Sequence, residues 1–201
     1  MRITGGGARG RKLSFLKAIN IRPTSDMVRS SIFNILGQTL TGFSVLDLFA
    51  GTGSLGIESL SRGAKKAVFV DRSSKAISLI RKNLVICGYE EFSKTLKRHL
   101  PDGLNHLRCE GFNKFDIIFI DPPYGKGYIK PTIDKLFTNN LFHENSTVVV
   151  ESSINDSDPL PAYIQNLRLK LSRSYGMTLI GIYIHDEKKQ IRKNDNLPRL
   201  F

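Results

Sequence analysis

Residues 115–124, FDIIFIDPPY, combine a short apolar run with side chains that can do chemistry. The run 117–120 is too short for a helix and predicts a buried strand of a parallel sheet. Asp121 would then lie at the carboxyl end of that strand, where open α/β sheets place their ligands. Pro122 and Pro123 fix φ and remove two N–H donors, so the nearby carbonyls stay outside helix and ladder hydrogen bonding.

The Asp121 carboxylate, these carbonyls and the ring of Tyr124 together predict a site for a flat group that carries an amine. The oxygens would accept the amine protons, and the ring would stack on the face of the group. The plain alternative is a strand that leaves the sheet through a turn, because Asp-Pro is also common turn chemistry. A second motif elsewhere in the chain favours the site.

That second motif is the segment 45–56, VLDLFAGTGSLG, which reads as a strand, a glycine turn and the start of a helix. Gly51, Gly53 and Gly56 fit the pattern G-x-G-x-x-G, and Asp71 follows about 20 residues later. Glycines let a backbone approach a ligand closely, and an acid after the second strand binds ribose hydroxyls. These features predict either a nicotinamide dinucleotide or S-adenosylmethionine (SAM).

Asp47, just before the glycines, separates the two cofactors. A carboxylate is unfavourable beside a pyrophosphate, whereas it suits a cation such as the α-ammonium group of SAM. A SAM domain also accounts for the DPPY segment and for an antiparallel hairpin near the end of the chain, which a nicotinamide enzyme leaves unexplained. We therefore predict SAM. For Asp71, the simpler alternative is a helix cap or a surface charge.

The elements that must position these motifs alternate between strand and helix. Short apolar segments predict strands at residues 44–48, 67–70, 95–98, 115–120 and 147–151. Apolar residues at helical spacing predict helices at residues 25–37, 54–61, 73–86, 102–107 and 131–137. This order is typical of an α/β fold with a doubly wound, mainly parallel sheet.

The last part of the chain departs from that order. Leu167, Leu169 and Leu171 alternate with polar residues, and Gly176 separates them from the apolar run 177–184. Two strands with so short a connection must be antiparallel, so we expect a hairpin that closes one edge of the sheet. The polar, charged residues after about 185 predict a frayed tail.

Composition and charge narrow the class of protein. The 201 residues carry a formal net charge of +12, and the basic residues concentrate near both ends, which is typical of a protein that binds nucleic acid. No apolar run is long enough for a membrane span. Cys87 and Cys109 make no disulfide framework, and the four histidines lack metal-ligand spacing. We predict a cytoplasmic monomer without a metal site.

With these residues in place, the chain resembles the RsmD-type family of bacterial small-subunit (16S) rRNA guanine-N2-methyltransferases. The resemblance runs from Arg2 to about Ile184. The glycine loop and DPPY occur in many enzymes that methylate amines, so the narrower signals lie near the start. They are RITGG and RGRKL within residues 2–13, and RPTSDMVR at residues 22–29.

The resemblance implies a class I SAM-dependent methyltransferase fold, which is Rossmann-like with a mainly parallel seven-stranded sheet and a C-terminal antiparallel hairpin. It implies methyl transfer from SAM to the N2 amine of a guanine in 16S rRNA, in an assembled or assembling 30S subunit. The chain would comprise an RNA-contacting extension of a small β-hairpin and a helix (1–40), a catalytic core (41–185) and a flexible basic tail (186–201).

The resemblance also assigns residues to the two ligands. Those expected at the cofactor are Thr24, Arg29, Asp47, Gly51, Gly53 and Asp71. Those expected at the RNA are Arg9, Arg11, Lys12 and Lys126. After the third strand, family members carry an acid for the adenine amine, whereas this chain has His99 there and Asp102 three residues later. We take Asp102 as the adenine contact, with helix capping as its alternative role.

The DPPY segment implies a mechanism. Guanine N2 is a poor nucleophile because its lone pair is delocalised into the ring. Asp121 and the Pro122 carbonyl would accept hydrogen bonds from its two N–H groups and draw the lone pair out of conjugation. Asp121 would also take the proton. Tyr124 would stack on the base, and Pro123 would keep the segment extended. Residues 125–127 would form a mobile lip over the base, with a plain flexible loop as the alternative.

Three other functions stay open. A DNA adenine-N6 methyltransferase uses the same chemistry, although this chain has no separate target-recognition domain. A protein glutamine methyltransferase is disfavoured by the basic ends. A non-catalytic RNA-binding ribosome assembly factor is disfavoured by the intact Asp121 and glycine loop.

Overall fold

The computed structural model describes residues 1–15, 26–107, 111–156 and 160–186. Thr24, the first half of the RPTSDMVR segment and the basic tail beyond Asp186 lie outside the described residues. The strands are β1 (Ser44–Leu48), β2 (Lys66–Asp71), β3 (Ser93–Lys97), β4 (Phe115–Ile120), β5 (Phe142–Ser153), β6 (Tyr163–Ile164), β7 (Leu167–Tyr175) and β8 (Thr178–His185). The helices are α1 (Asp26–Leu36), α2 (Ser54–Ser61), α3 (Ser74–Cys87) and α4 (Ile129–Thr138), with a 3-10 helix at Asp102–His106.

The strands of these ranges form one sheet in the order β3-β2-β1-β4-β5-β8-β7-β6. The first five pair in parallel, and β8 inserts antiparallel between β5 and β7. The predicted α/β fold with a C-terminal hairpin is confirmed. Within the described ranges, no helix has both the length and the apolar character needed to cross a bilayer.

Two features of the sheet were not predicted, an additional strand and a longer β5. β6 is an eighth strand of two residues, paired with Leu167 and Arg168, and it is too short to produce an alternating pattern. β5 begins at Phe142, five residues before its predicted start at Thr147. The prediction missed this part because residues 143–146 are polar and, except for the buried Ser146, exposed. Pairing with neighbouring strands, rather than the sequence pattern, defines both.

The two faces of the sheet explain why the central strands are continuously apolar. Val45, Phe69 and Phe119 pack under α1, α2 and α3 on one face. Leu46, Val70 and Ile118 pack on the other face with α4 and the 3-10 helix. A parallel sheet covered on both faces requires apolar residues at successive positions, which is the pattern seen in β1, β2 and β4.

The first residues form the predicted hairpin. Arg2 and Lys12 make an antiparallel bridge, and the Ile3 N–H donates to the Arg11 carbonyl at 3.0 Å. Ile3 and Leu13, with Ala8, are buried in the core cluster that holds α1, α2 and α3. The hairpin therefore packs on the sheet domain, while its basic side chains Arg9, Arg11 and Lys12 stay exposed.

The hairpin is attached to α2 through Glu58, a buried carboxylate. Glu58 accepts hydrogen bonds from the N–H groups of Thr4 (2.8 Å) and Gly5 (2.7 Å). It also pairs with two guanidinium groups, of Arg29 (3.2 Å) and Arg62 (2.9 Å). All three charged side chains are almost fully buried. These contacts satisfy a charge that burial would otherwise make very costly.

Replacing Glu58 by Ala should therefore destabilise the protein by about 3–5 kcal/mol, because it leaves two buried guanidinium groups without their shared partner. The free energy of unfolding in urea measures this. Lys130→Ala is the matched control: it breaks the pair between Lys130, 79% exposed, and Asp134, and should cost about 0–1 kcal/mol. Equal losses in the two variants would contradict a central role for Glu58.

Candidate active site

The site forms where β1, β2 and β4 end together. In the parallel register, Leu48 of β1 pairs with Val70 of β2 and with Ile120 of β4. The glycine loop follows β1, Asp121 follows β4, and Asp71 is the last residue of β2, so all three lie at the same level of the sheet. The structure thus brings the two motifs that the sequence separates by about 70 residues to one edge of the sheet.

The glycine loop turns sharply between β1 and α2. Gly51 and Gly53 have φ of 54° and 75°, a left-handed conformation that glycine adopts without a steric penalty. Phe49 adopts a similar φ of 59°, which is rare for a bulky residue. Residues with such unusual backbone angles cluster at functional sites. The Gly53 N–H donates to the Ala50 carbonyl at 2.7 Å, which closes the turn.

Asp71 fixes this loop from the neighbouring strand. Its Oδ2 accepts the Gly51 N–H at 2.9 Å, and its Oδ1 accepts the Ser73 N–H at 2.8 Å. The N-cap of α3 is Ser73, whose hydroxyl accepts the Ala76 N–H, so the helix-cap alternative for Asp71 is wrong. Each carboxylate oxygen keeps further lone pairs, which can accept from a ligand hydroxyl.

Asp47 is only 2% exposed, and its Oδ2 accepts the Gly56 N–H at 2.9 Å. A Cβ at Gly56 would lie 2.3 Å from the Phe69 ring and 3.1 Å from this oxygen, so the third glycine of the motif permits close packing of α2. Burial raises the pKa of Asp47 to about 8; the Asp71 charge adds to the rise and the Gly56 N–H opposes it. Direct contact of Asp47 with a cation stays a prediction.

Two other residues predicted at the cofactor have different surroundings. Arg29 is fully buried and ion-pairs with Asp26 and Glu58. The Asp102 side chain is 80% exposed and lies 3.6 Å from the Lys135 ammonium. The 3-10 helix has Pro101 as its N-cap without a side-chain bond, so the capping alternative for Asp102 is wrong. Contacts of Arg29 and Asp102 with the cofactor stay predictions.

The DPPY segment leaves β4 as predicted, with residues 121–123 outside helix and strand. Pro122 is buried and Asp121 is partly exposed. The Tyr124 hydroxyl donates to Glu151 Oε1 at 2.9 Å, which fixes the plane of its ring. Burial, together with the charges of Glu151 and Asp121, raises the pKa of Tyr124 well above its ordinary value, so the phenol keeps its proton.

Beside this segment lies a cavity of about 510 Å³. Its wall includes Pro122, Tyr124, Lys126, Tyr128 and Glu151. Polar groups therefore converge on a largely apolar concavity, which is the usual form of a small-ligand site. Lys126 is exposed on this wall, and its contact with RNA stays a prediction.

Two carboxylates that the sequence analysis did not assign support this wall. Glu151 orients Tyr124, and Asp156 Oδ1 accepts the Gly125 N–H at 3.0 Å while its Oδ2 accepts the Ser153 N–H at 3.0 Å. Asp156 thus ties the residues after DPPY to the end of β5. Glu151 carries a signal that resembles that of Asp121, an acid directly after an apolar strand, whereas nothing in the sequence distinguishes Asp156.

Comparison with known proteins identifies the family. Residues 1–184 match the family described as Conserved hypothetical protein 95. The chain belongs to this family. Putative rRNA methyltransferase YlbH of Bacillus subtilis is 34% identical over 184 residues, which cover 91% of this chain and 98% of YlbH. Ribosomal RNA small subunit methyltransferase D of Escherichia coli K12 is 31% identical over 187 residues, which cover 91% and 89% of the two chains.

Solved structures agree with this assignment. The putative methyltransferase yhhF from Escherichia coli superposes with a TM-score of 0.79 at 30% identity, covering 92% of this chain and 98% of yhhF. The RsmD-type resemblance and the Rossmann-like class I methyltransferase fold are therefore confirmed.

Because burial keeps Asp47 protonated, its substitution should reveal a pH-dependent stability. The unfolded chain ionises Asp47 near pH 3.8, whereas the folded protein holds the proton to about pH 8. Between these values the native state binds more protons, so this group lowers the free energy of unfolding as pH rises. Asp47→Asn keeps an acceptor for Gly56 and cannot ionise, so its free energy of unfolding, relative to that of the unsubstituted protein, should rise with pH.

Urea unfolding at pH 5, 6.5 and 8 measures the effect, and the advantage of Asp47→Asn should grow across this series. A stability difference that stays constant from pH 5 to pH 8 would contradict a protonated, buried Asp47.

Proposed function

We propose that this protein transfers a methyl group from SAM to the exocyclic N2 amine of a guanine in small-subunit rRNA. The observation that carries the proposal is the register of β1, β2 and β4, which sets the glycine loop and the DPPY segment side by side. A donor held by the first and an amine held by the second would therefore meet. The names of the relatives support rRNA methylation.

The glycine loop fits a nucleoside cofactor. Gly51 and Gly53 present bare backbone, and Asp71 has oxygens suited to the ribose hydroxyls. The ammonium group of SAM would favour the ionised form of Asp47, which burial opposes in the free protein, whereas a pyrophosphate would oppose it further. We assign Asp47, Gly51, Gly53 and Asp71 to SAM, with Thr24, Arg29 and Asp102 as further candidates. When bound, SAM supplies an electrophilic methyl group.

The DPPY segment fits the amine that receives the methyl group. The Asp121 carboxylate and the Pro122 carbonyl accept hydrogen bonds from the two N–H groups of N2. These bonds turn the nitrogen lone pair away from the guanine ring. Tyr124, held by Glu151, provides a flat surface for the base, and such stacking contributes about 1–3 kcal/mol. The base must lie outside a helical stack to reach this position.

Charge and proton balance follow from the same residues. As the N2–carbon bond formed and the carbon–sulfur bond broke, with the neutral thioether S-adenosylhomocysteine as leaving group, the amine would become cationic and acidic, and Asp121 would accept the proton that it loses. The proton then passes to solvent, since Asp121 is partly exposed. The neutral Tyr124 adds no negative charge next to the base. We thus assign Asp121 as the proton acceptor, and Pro122, Pro123 and Tyr124 as the groups that hold the base.

The N-terminal hairpin fits a phosphate backbone. Arg9, Arg11 and Lys12 lie exposed on one small hairpin, in a chain with a formal net charge of +12. Side chains of this kind position a nucleic acid without reading its sequence. We assign the hairpin and Lys126 to contacts with the rRNA in the 30S subunit or its precursor.

Replacing Asp121 by Ala should reduce methyl transfer by at least about a hundredfold and leave SAM binding nearly unchanged, because the residue acts on the amine. Nucleoside mass spectrometry with isotopically labelled SAM and unmodified small subunits measures transfer, and calorimetry measures binding. Glu91→Ala is the matched control, since it removes an exposed carboxylate between α3 and β3, outside the site, and should keep the activity.

Joint loss of SAM binding and of the folded state in Asp121→Ala would contradict the assignment of Asp121 to the amine. Label in adenine of duplex DNA, instead of N2-methylguanosine in rRNA, would show that the substrate is DNA. Tight binding of SAM and RNA with no label in any base would show a binding protein in place of an enzyme.

Replacing Arg9 and Lys12 together by Ala should weaken RNA binding and flatten its salt dependence. Each lost phosphate contact reduces the slope of log K against log salt by about 0.7–0.9. Filter binding at several salt concentrations measures the slope. The double variant Lys94→Ala with Lys97→Ala, two exposed residues of β3, is the charge-matched control. A slope that changes equally in both variants would remove the hairpin from the RNA interface.

A further inference from the structure

Asn83 is a fully buried polar residue of α3 that the proposed function does not use. Its carboxamide makes three hydrogen bonds. Oδ1 accepts the Ser14 N–H at 2.7 Å, and Nδ2 donates to the Ser14 carbonyl at 3.1 Å and to the Thr52 carbonyl at 2.9 Å. Both amide protons and the oxygen are therefore occupied.

These bonds join two distant parts of the chain. Ser14 directly follows the basic hairpin, and Asn83 pairs with both its N–H and its carbonyl, as a neighbouring strand would. Thr52 lies in the glycine loop between Gly51 and Gly53. One buried side chain thus sets the position of the hairpin's end relative to the loop assigned to SAM.

A second set of contacts repeats this connection through α2, which begins at the glycine loop. Its Glu58 holds Thr4 and Gly5, and its Ser61 accepts the Ala8 N–H at 2.9 Å through the hydroxyl. The hairpin is thus held at its start by α2 and at its end by Asn83. If the glycine loop moved relative to the hairpin, buried hydrogen bonds of Asn83, or those of Glu58 and Ser61, would break.

We propose that Asn83 is a positioning residue that couples the two binding sites, so that a ligand in the glycine loop and RNA on the basic hairpin strengthen each other's binding. The inference rests on the proposed function and adds a regulation to it. Breaking a buried hydrogen bond is costly, so only one relative position of loop and hairpin satisfies the carboxamide. A ligand that holds either part there lowers the cost of ordering the other, and the effect must be reciprocal.

The test compares two dissociation constants of S-adenosylhomocysteine, which binds without turnover, in the presence and absence of saturating unmodified 16S rRNA. For the full-length unsubstituted protein we expect the rRNA to tighten binding by about 5- to 150-fold, the usual range of such coupling. For Asn83→Ala we expect this ratio to fall close to one. The ratio of the rRNA dissociation constants measured without and with S-adenosylhomocysteine should equal the first ratio, in the unsubstituted protein and in Asn83→Ala alike.

Two matched controls should keep the ratio of the unsubstituted protein. Ser14→Ala retains both bonds to Asn83, because these involve only the Ser14 backbone. Lys82→Ala changes an exposed residue adjacent to Asn83 on the same helix. A purely structural role for Asn83 would lower both affinities in parallel and leave their ratio unchanged.

An unchanged ratio in Asn83→Ala overturns the inference. A ratio of one in the unsubstituted protein also overturns it, whether or not the Asn83 variant folds. In either case, methylation of rRNA guanine by the same preparation would leave the proposed function standing. Failure of the unsubstituted protein to bind both 16S rRNA and unmodified small subunits would overturn the proposed function and the coupling together.

Discussion

Glu58 places a carboxylate inside the protein, and this is stable only because two guanidinium groups and two backbone N–H groups surround it. That requirement organises one whole side of the molecule. It attaches the basic hairpin to α2, attaches α1 through Arg29, and places the hairpin near the helix that begins at the glycine loop. A charge that is costly to bury thus fixes the relation between the surface assigned to RNA and the site assigned to SAM.

Within the site, burial shifts the pKa values of two side chains. Burial of Asp47 raises its pKa to about 8, and burial of Tyr124 keeps the phenol neutral. The raised pKa predicts that Asp47 stabilises the folded protein less as pH rises, while its oxygen accepts the Gly56 N–H near the start of α2. Shifted pKa values cluster at functional sites, which agrees with the proposed role of Asp47 in SAM binding.

Much of the fold followed from local patterns. β1, β4 and α2 have the predicted bounds, because apolar runs and the glycine turn mark their ends. β6 and the first half of β5 could not be predicted, since one has only two residues and the other is mostly polar and exposed. In the site, Asp47, Asp71 and Asp121 stood out because each is an acid at or near the end of an apolar strand. Asn83 and Asp156 carry no such signal, because the backbone groups that they connect, Ser14 with Thr52 and Gly125 with Ser153, are distant from each other in sequence.

Residues close together in the chain were enough to predict the order of strands and helices, the glycine loop, the DPPY segment and the basic character of both ends. The contacts between distant residues depended on the folded chain. It paired Leu48 with Val70 and Ile120, turned Tyr124 to Glu151, and placed Asn83 between Ser14 and Thr52. The physical reason is that strand register and the satisfaction of buried polar groups depend on the whole folded chain.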